Sequence, residues 1–197
     1  MIKLFKIILS TSILIAFASH AETSSDDMLK QIQERAAKVK QFKELLNNPD
    51  QTVRVSTLDV MLKSNDQVMR ELAFNLGFSS ADSAMNAIAL KNKIKYMKQL
   101  NFNLTLTNSP TALEKKAIQE TFSNNYYIEI KDYDSNTGSF LTHRHRGKGQ
   151  VSGSEISTIS KDCSTTVRVS DGASLKGVLK CSHPNFQGNY SMELQLQ

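Results

Sequence analysis

The chain has 197 residues, a formal net charge of +5 and 40% hydrophobic residues, with eight glycines, three prolines and two cysteines. This supplies the apolar surface for one large domain or two small ones, and it excludes collagen-like, low-complexity and cysteine-dense scaffolds. The mild positive charge does not by itself imply a nucleic-acid partner, and none is expected.

Residues 1–21 read as a secretory signal peptide. Lys3 and Lys6 form a positive n-region, Ile7 to Ala18 is apolar except for Ser10, Thr11 and Ser12, and Ser19-His20-Ala21 has small residues where a signal peptidase reads. The apolar run falls well short of the roughly 20 residues that span a bilayer, so no stable membrane anchor is expected after cleavage. Loss of Lys3 and Lys6 leaves a mature chain, 22–197, of formal charge +3. The expected location is the periplasm or the cell exterior. In such an oxidising compartment the two cysteines, Cys163 and Cys181, are expected to form a structural disulfide. Neither sits in a CxxC pair or beside an obvious base, which weakens the readings as reactive thiol or metal ligand.

Composition changes near residue 124. Seven of the eight glycines follow it, whereas nine of the ten alanines after the leader precede it. Alanine favours helix and glycine marks turns and bulges. The expected fold class is therefore α+β. A helical domain of short stacked helices, 22–123, is followed by an antiparallel β domain, 124–197, that forms a small barrel or sandwich with one disulfide.

The first helix is expected from about Asp26 to Leu46. Ser24 or Ser25 can cap it, and Asp26 and Asp27 suit the positive end of the helix dipole. Met28, Leu29, Ile32, Ala36, Val39, Phe42 and Leu46 recur at three- and four-residue steps and define one apolar face. Asn47-Asn48-Pro49 stops the helix. Lys30, Arg35, Lys38 and Lys43 on the other side read as a solvated face.

An internal repeat follows. Asp50-Gln51-Thr52-Val53-Arg54 is echoed sixteen residues later by Asp66-Gln67-Val68-Met69-Arg70, and sixteen further by Asp82. Val53, Met69 and Met85 align, as do Leu58, Phe74 and Leu90, while Asn86 stands where the first two units have arginine. Each unit opens on an aspartate placed to cap a helix of about twelve residues. Over about 50–98 the chain resembles the HEAT-like α-helical repeat family, whose helices often open with an aspartate followed by Val-Arg. The resemblance implies a helical scaffold used for protein contacts, with no chemistry attached. An ordinary helical bundle with regularly spaced caps is the alternative.

Gly77 reads as a helix C-terminus, with Ser79-Ser80 capping a helix over about 81–98 whose small residues let another helix approach closely. Residues 101–107 alternate strictly and read as a strand, an early member of the β module reached across a helical crossover. Thr111 with Glu114 is a capping-box pattern opening a helix to about 123. From Tyr126 the period becomes two. A turn over Asp134–Gly138 leads to a strand at 139–146, and further strands are expected at 151–160, 165–170, 174–181 and 189–196, five or six in all. Asp132–Gly138 only superficially resembles a calcium loop: Thr137 and His143 stand where glycine and an acidic residue are needed.

The conspicuous polar run is Leu141-Thr142-His143-Arg144-His145-Arg146-Gly147-Lys148. Arg144, Arg146 and Lys148 are candidates for contact with an anionic group or a partner, since arginine grips carboxylate and phosphate in bidentate fashion. A solvated strand, charged against unwanted pairing, is the plainer reading. His143, His145 and His183 are weak metal candidates, because zinc usually takes three or four protein ligands. No catalytic residue is assigned: the sequence has no nucleophile elbow, no HExxH and no phosphate-binding glycine loop. No cofactor is expected. The functional expectation is a non-catalytic exported protein that binds an unknown protein of the envelope, as an inhibitor or immunity-type protein. The alternatives are a small-ligand carrier built on the β-barrel and an envelope-acting, metal-assisted hydrolase.

Overall fold

The structure, a computed structural model, describes residues 24–142, 147–170 and 173–196. The leader reading of 1–21 lies outside the described residues. Among the described residues no helix is long and apolar enough to cross a membrane. The chain divides into two compact units, one ending at Lys38 and the other comprising Val39–Gln197.

Helix α1 is Ser25–Leu46. Ser24 caps it: the Asp27 N–H donates to Ser24 Oγ at 3.2 Å, and that hydroxyl donates back to the Asp27 carboxylate at 3.0 Å. The expected apolar face is used unevenly. Leu46 is buried and Val39 and Phe42 pack on the core, whereas Met28, Leu29 and Ile32 are 51%, 56% and 63% exposed.

Helices α2 (Gln51–Leu62), α3 (Gln67–Ser79) and α4 (Ser83–Lys95) follow, with Asp50, Asp66 and Asp82 as their N-caps. Each aspartate accepts the N–H two residues on, at 2.7, 2.9 and 2.9 Å. Two residues before each cap, Asn48, Ser64 and Ser80 accept the N–H of the aspartate through their side chains. Four residues after it, Arg54, Arg70 and Asn86 reach back to the carbonyls of those same residues, at 2.8, 2.6 and 2.6 Å. The sixteen-residue period is thus a clasp made three times, each satisfying backbone groups that a helix start leaves orphaned. The asparagine of the third unit does the reaching that arginine does in the others. Within each helix the aligned residues Leu58, Phe74 and Leu90, and then Leu62, Phe78 and Ile94, are buried.

Two local expectations are corrected. Gly77 does not end a helix; it lies inside α3, where a Cβ would stand 2.8 Å from Ala89 Cβ and 3.3 Å from Leu58 Cδ1. Its missing side chain is what lets α3 and α4 approach. The cap of α4 is Asp82 rather than a serine, and the helix is shorter than 81–98 because it ends before Tyr96.

Strand β1 (Gln99–Leu106) and helix α5 (Ala112–Glu120) lead into β2 (Asn125–Glu129), β3 (Ser139–Thr142), β4 (Gly147–Ser152), β5 (Glu155–Ile159), β6 (Cys163–Ser170), β7 (Ser174–Cys181) and β8 (Gly188–Gln195). They form one antiparallel sheet in the order β2-β1-β8-β7-β6-β5-β4-β3. The consecutive strands β2 and β3 lie at its two edges, and a bridge between Lys131 and Leu141 joins them: Leu141 N–H to Lys131 O at 2.8 Å, and Lys131 N–H to Leu141 O at 3.0 Å. The sheet is therefore a nearly closed, eight-stranded up-and-down barrel. The strand expected at 151–160 is two strands, broken at Gly153, whose φ of 56° suits a residue without a Cβ. That break, the strand starting at Gly147 and the inclusion of β1 raise the count above five or six. The Asp134–Gly138 turn forms as expected. Its aspartate accepts the Asn136 N–H at 2.8 Å and the Thr137 hydroxyl at 2.8 Å, and these bonds hold the carboxyl below its ordinary range.

Inward residues make rows across the strands. One runs Phe140, Gly149, Thr158, Thr165, Leu179, Tyr190; another runs Val151, Ile156, Val167, Gly177, Met192, Leu104. The Phe140 ring occupies the space over Gly149 that a side chain there would need. The buried hydroxyls of Thr158 and Thr165 bond each other at 2.7 Å, so neither is left unsatisfied. An eight-stranded barrel is just wide enough for side chains to fill.

Each barrel end meets helix. At one, Phe122 packs edge-on against Tyr126, Phe186 and Tyr190, and Glu114 of the Thr111 capping box accepts the Asn189 N–H at 2.6 Å. At the other, Tyr133 of the β2–β3 connection donates to Lys91 O of α4 at 3.3 Å, and α4 packs beside β4. Helix and barrel side chains belong to one hydrophobic cluster.

Candidate functional site

Strand pairing also aligns the outward residues of β3–β6. Leu141, Lys148, Ile159 and Ser164 form one row, and Ser139, Gln150, Ser157 and Thr166 form the next. Together they line an open groove of about 670 Å³, with Asp132 at its margin. Leu141 and Ile159, on either side of Lys148 in the first row, are 46% and 64% exposed. Gln150 is anchored by its amide, which donates to Thr137 O. Asp132 adopts a left-handed conformation, φ 51°, beside the Lys131–Leu141 bridge; aspartate tolerates that region better than most residues.

This composition has a defined chemical character. Two apolar side chains stand among hydroxyls, one amide, one ammonium and one carboxylate, on the strands and one connection of a nearly closed barrel. Such a surface can exclude water at a small apolar centre and satisfy polar groups around it. A second concavity, of about 450 Å³, lies along α3 by Glu71, Phe74 and Lys93. There the Lys93 ammonium sits 4.9 Å from the centre of the Phe74 ring and covers its face.

Of the residues singled out from sequence, Lys148 lines the groove. Arg144, Arg146, His143 and His145 lie outside the described residues. His183 is half-buried on the β7–β8 connection, where its ring stacks on Phe186 at 4.4 Å and its Nδ1 accepts the Asn185 N–H at 3.2 Å. Among the described residues no group of three histidines, cysteines or carboxylates could hold a metal ion. Cys163 and Cys181 are bonded, and they are directly opposed partners on β6 and β7, 4.1 Å apart at Cα.

Sequence reasoning did not single out Ile159, and it named Leu141 only as the start of the polar run and Asp132 only as the start of a rejected calcium loop. The signal was present but needed the strand phase. Phe140 and Ile156 point inward, so Leu141 and Ile159 are apolar residues on the polar phase of their strands. Merging β4 with β5 hid that phase. No family model, curated protein or solved structure matches the chain.

Proposed function

We propose that this is a non-catalytic exported protein, periplasmic or secreted, that binds another protein of the envelope through the outer face of β3–β6, in the manner of an inhibitor or immunity-type protein. The carrying observation is the groove in which exposed Leu141 and Ile159 are framed by Lys148 and cross-strand hydroxyls. Its residues stand on hydrogen-bonded strands, from the edge strand β3 inward to β6, so little conformational entropy is lost on docking. Apolar side chains held in the open at such a place favour a partner surface over a dissolved substrate.

The interior supports this reading over that of a ligand carrier, since both inward rows are occupied by packed side chains, Phe140, Leu179 and Tyr190 among them. The local bonding of His183 weighs in the same direction against a metal-assisted hydrolase.

The test is affinity capture from envelope extract with the wild-type chain and with Ile159→Asp and Lys148→Glu. A stoichiometric partner retained by the wild type and lost by both variants, whose thermal melts are unchanged, is the expected result. Capture that both variants retain in full would remove the groove from the binding surface.

A further inference from the structure

The first clasp of the repeat does more than satisfy a helix start. Gln51 donates to one oxygen of Asp82 at 3.1 Å, and Arg54 donates to the other at 2.5 Å, so the opening turn of α2 grips a carboxylate. Sixteen residues on, α3 opens with the same two residue types, Gln67 and Arg70, one helical turn apart and on one side of the helix. Arg70 keeps the backbone bond of the clasp, donating to Ser64 O at 2.6 Å. The position in register with Asp82 is now Lys98, a cation where the first unit has its aspartate. Among the described residues no carboxylate bonds Gln67 or Arg70. The backbone bond does not require an arginine, because Asn86 makes it in the third unit at 2.6 Å. What arginine adds is the second edge of its fork, which in the first unit holds a carboxylate.

We propose that Gln67 and Arg70 are a second carboxylate clamp, one that takes its carboxylate from outside the chain. Half-buried Arg70 lines a concavity of about 490 Å³ together with Lys63, Glu71, Phe74, Lys93 and Tyr96. Lys63 is engaged by Asp59 at 2.7 Å, and the Lys93 ammonium is held over the Phe74 ring. Arg70 and Lys93 therefore face one acidic group, Glu71, and the concavity keeps an excess of positive charge. The first clamp shows the chemistry that fits: two oxygens shared between an amide and a guanidinium. A phosphate dianion would meet the Glu71 charge twice over, so a singly charged carboxylate is the better match. The concavity shares no lining residue with the β3–β6 groove, and the two sites are tested independently.

Nitrogen-15 NMR titration tests this at constant ionic strength, with acetate, a blocked aspartate hexapeptide, inorganic phosphate and chloride as probes. The expected result is saturable movement of the Arg70 Nε–H and Gln67 side-chain amide signals with acetate and with the peptide. Arg70→Lys keeps the charge but loses the fork, and should weaken binding about tenfold. Gln67→Ala leaves Arg70 and its bond to Ser64 in place and should weaken it about threefold, which decides the matter if Arg70→Lys does not fold. Tighter binding of the peptide than of acetate, at equal carboxylate concentration, makes a polypeptide the source; equal binding makes it a small dissolved carboxylate. Either outcome supports the clamp. Shifts that chloride reproduces overturn the proposal, as do shifts that fail to saturate or that both substitutions leave unchanged. Saturable binding of phosphate alone overturns it too, since the carboxylate is then the wrong ligand.

Discussion

Arg54 of α2 and Asp82, the cap of α4, are joined across 28 residues of sequence by a guanidinium–carboxylate bond of 2.5 Å. Gln51 adds a second donor to the same carboxylate at 3.1 Å. The first and third clasps of the repeat are thereby tied to one another, and Asp82 serves as cap and as ion-pair partner at once.

That tie predicts a pH dependence. The Arg54 hydrogen bond, with help from Gln51, lowers the Asp82 pKa to about 2 from 3.8. A carboxylate whose folded pKa is depressed contributes stability above its unfolded value, and the contribution disappears as pH falls through the folded one. Asp82→Asn retains a good N-cap while removing the charge. Thermal melts should therefore show the variant less stable than wild type at pH 6, with the gap closing between about pH 4 and pH 2. A gap that is constant across that window would mean the ion pair contributes nothing.

Gly77→Ala should destabilise the protein. At an exposed helical site the same change gains up to about 1 kcal/mol in helix propensity. Here the new methyl meets Ala89 Cβ at 2.8 Å, and overpacking of this kind costs about 1–3 kcal/mol. Urea denaturation of Gly77→Ala alone and combined with Ala89→Gly measures the sign, and the second change should recover part of the loss.

Glu114→Ala should cost about 1–3 kcal/mol, because the part-buried bond to the Asn189 N–H and the α5 cap lose their acceptor together. The Asn189 and Thr111 N–H bonds hold the Glu114 carboxyl below its usual range. Its contribution is accordingly present above the ordinary glutamate pKa and lost as pH falls below it. A denaturation series at pH 7 and pH 3 should show the wild-type advantage over the variant shrink at the lower pH.

Reduction of Cys163–Cys181 removes a constraint across 18 residues, for which a loss of about 3 kcal/mol is expected. Because helix and barrel residues share one hydrophobic cluster, the helical far-ultraviolet signal and the tyrosine signal of the barrel should shift together. Two separate midpoints in the reduced protein would show that the helices hold without the barrel.

Much of this architecture is legible in one dimension because its causes are local. The three aspartate caps, the Thr111–Glu114 box, the stop at Pro49 and the Asp134 turn are each decided by residues within a few positions of one another. The strands from β6 onward show the same period-two alternation that packing requires of them. Legibility fails where a glycine has more than one use. Gly77 is small because two helices meet there, Gly149 because Phe140 lies over it, and Gly153 because the chain turns; sequence shows glycine in all three. The groove suffered from the same ambiguity, since Ile159 stands out only once Gly153 is known to end a strand.

By itself the sequence determined the helical-then-β order, the repeat and its caps, and the pairing of its two cysteines, because each follows from spacing, local bonding or the absence of another partner. Only the tertiary structure decided that the sheet closes into a barrel. Closure depends on the meeting of Lys131 with Leu141 and of β1 with β8, and no local pattern encodes which edges meet. It likewise decided which apolar residues stay outside. Met28, Ile32 and Ile159 have the same chemistry as the residues of the core, and what separates them is whether the folded chain has left anything to cover them.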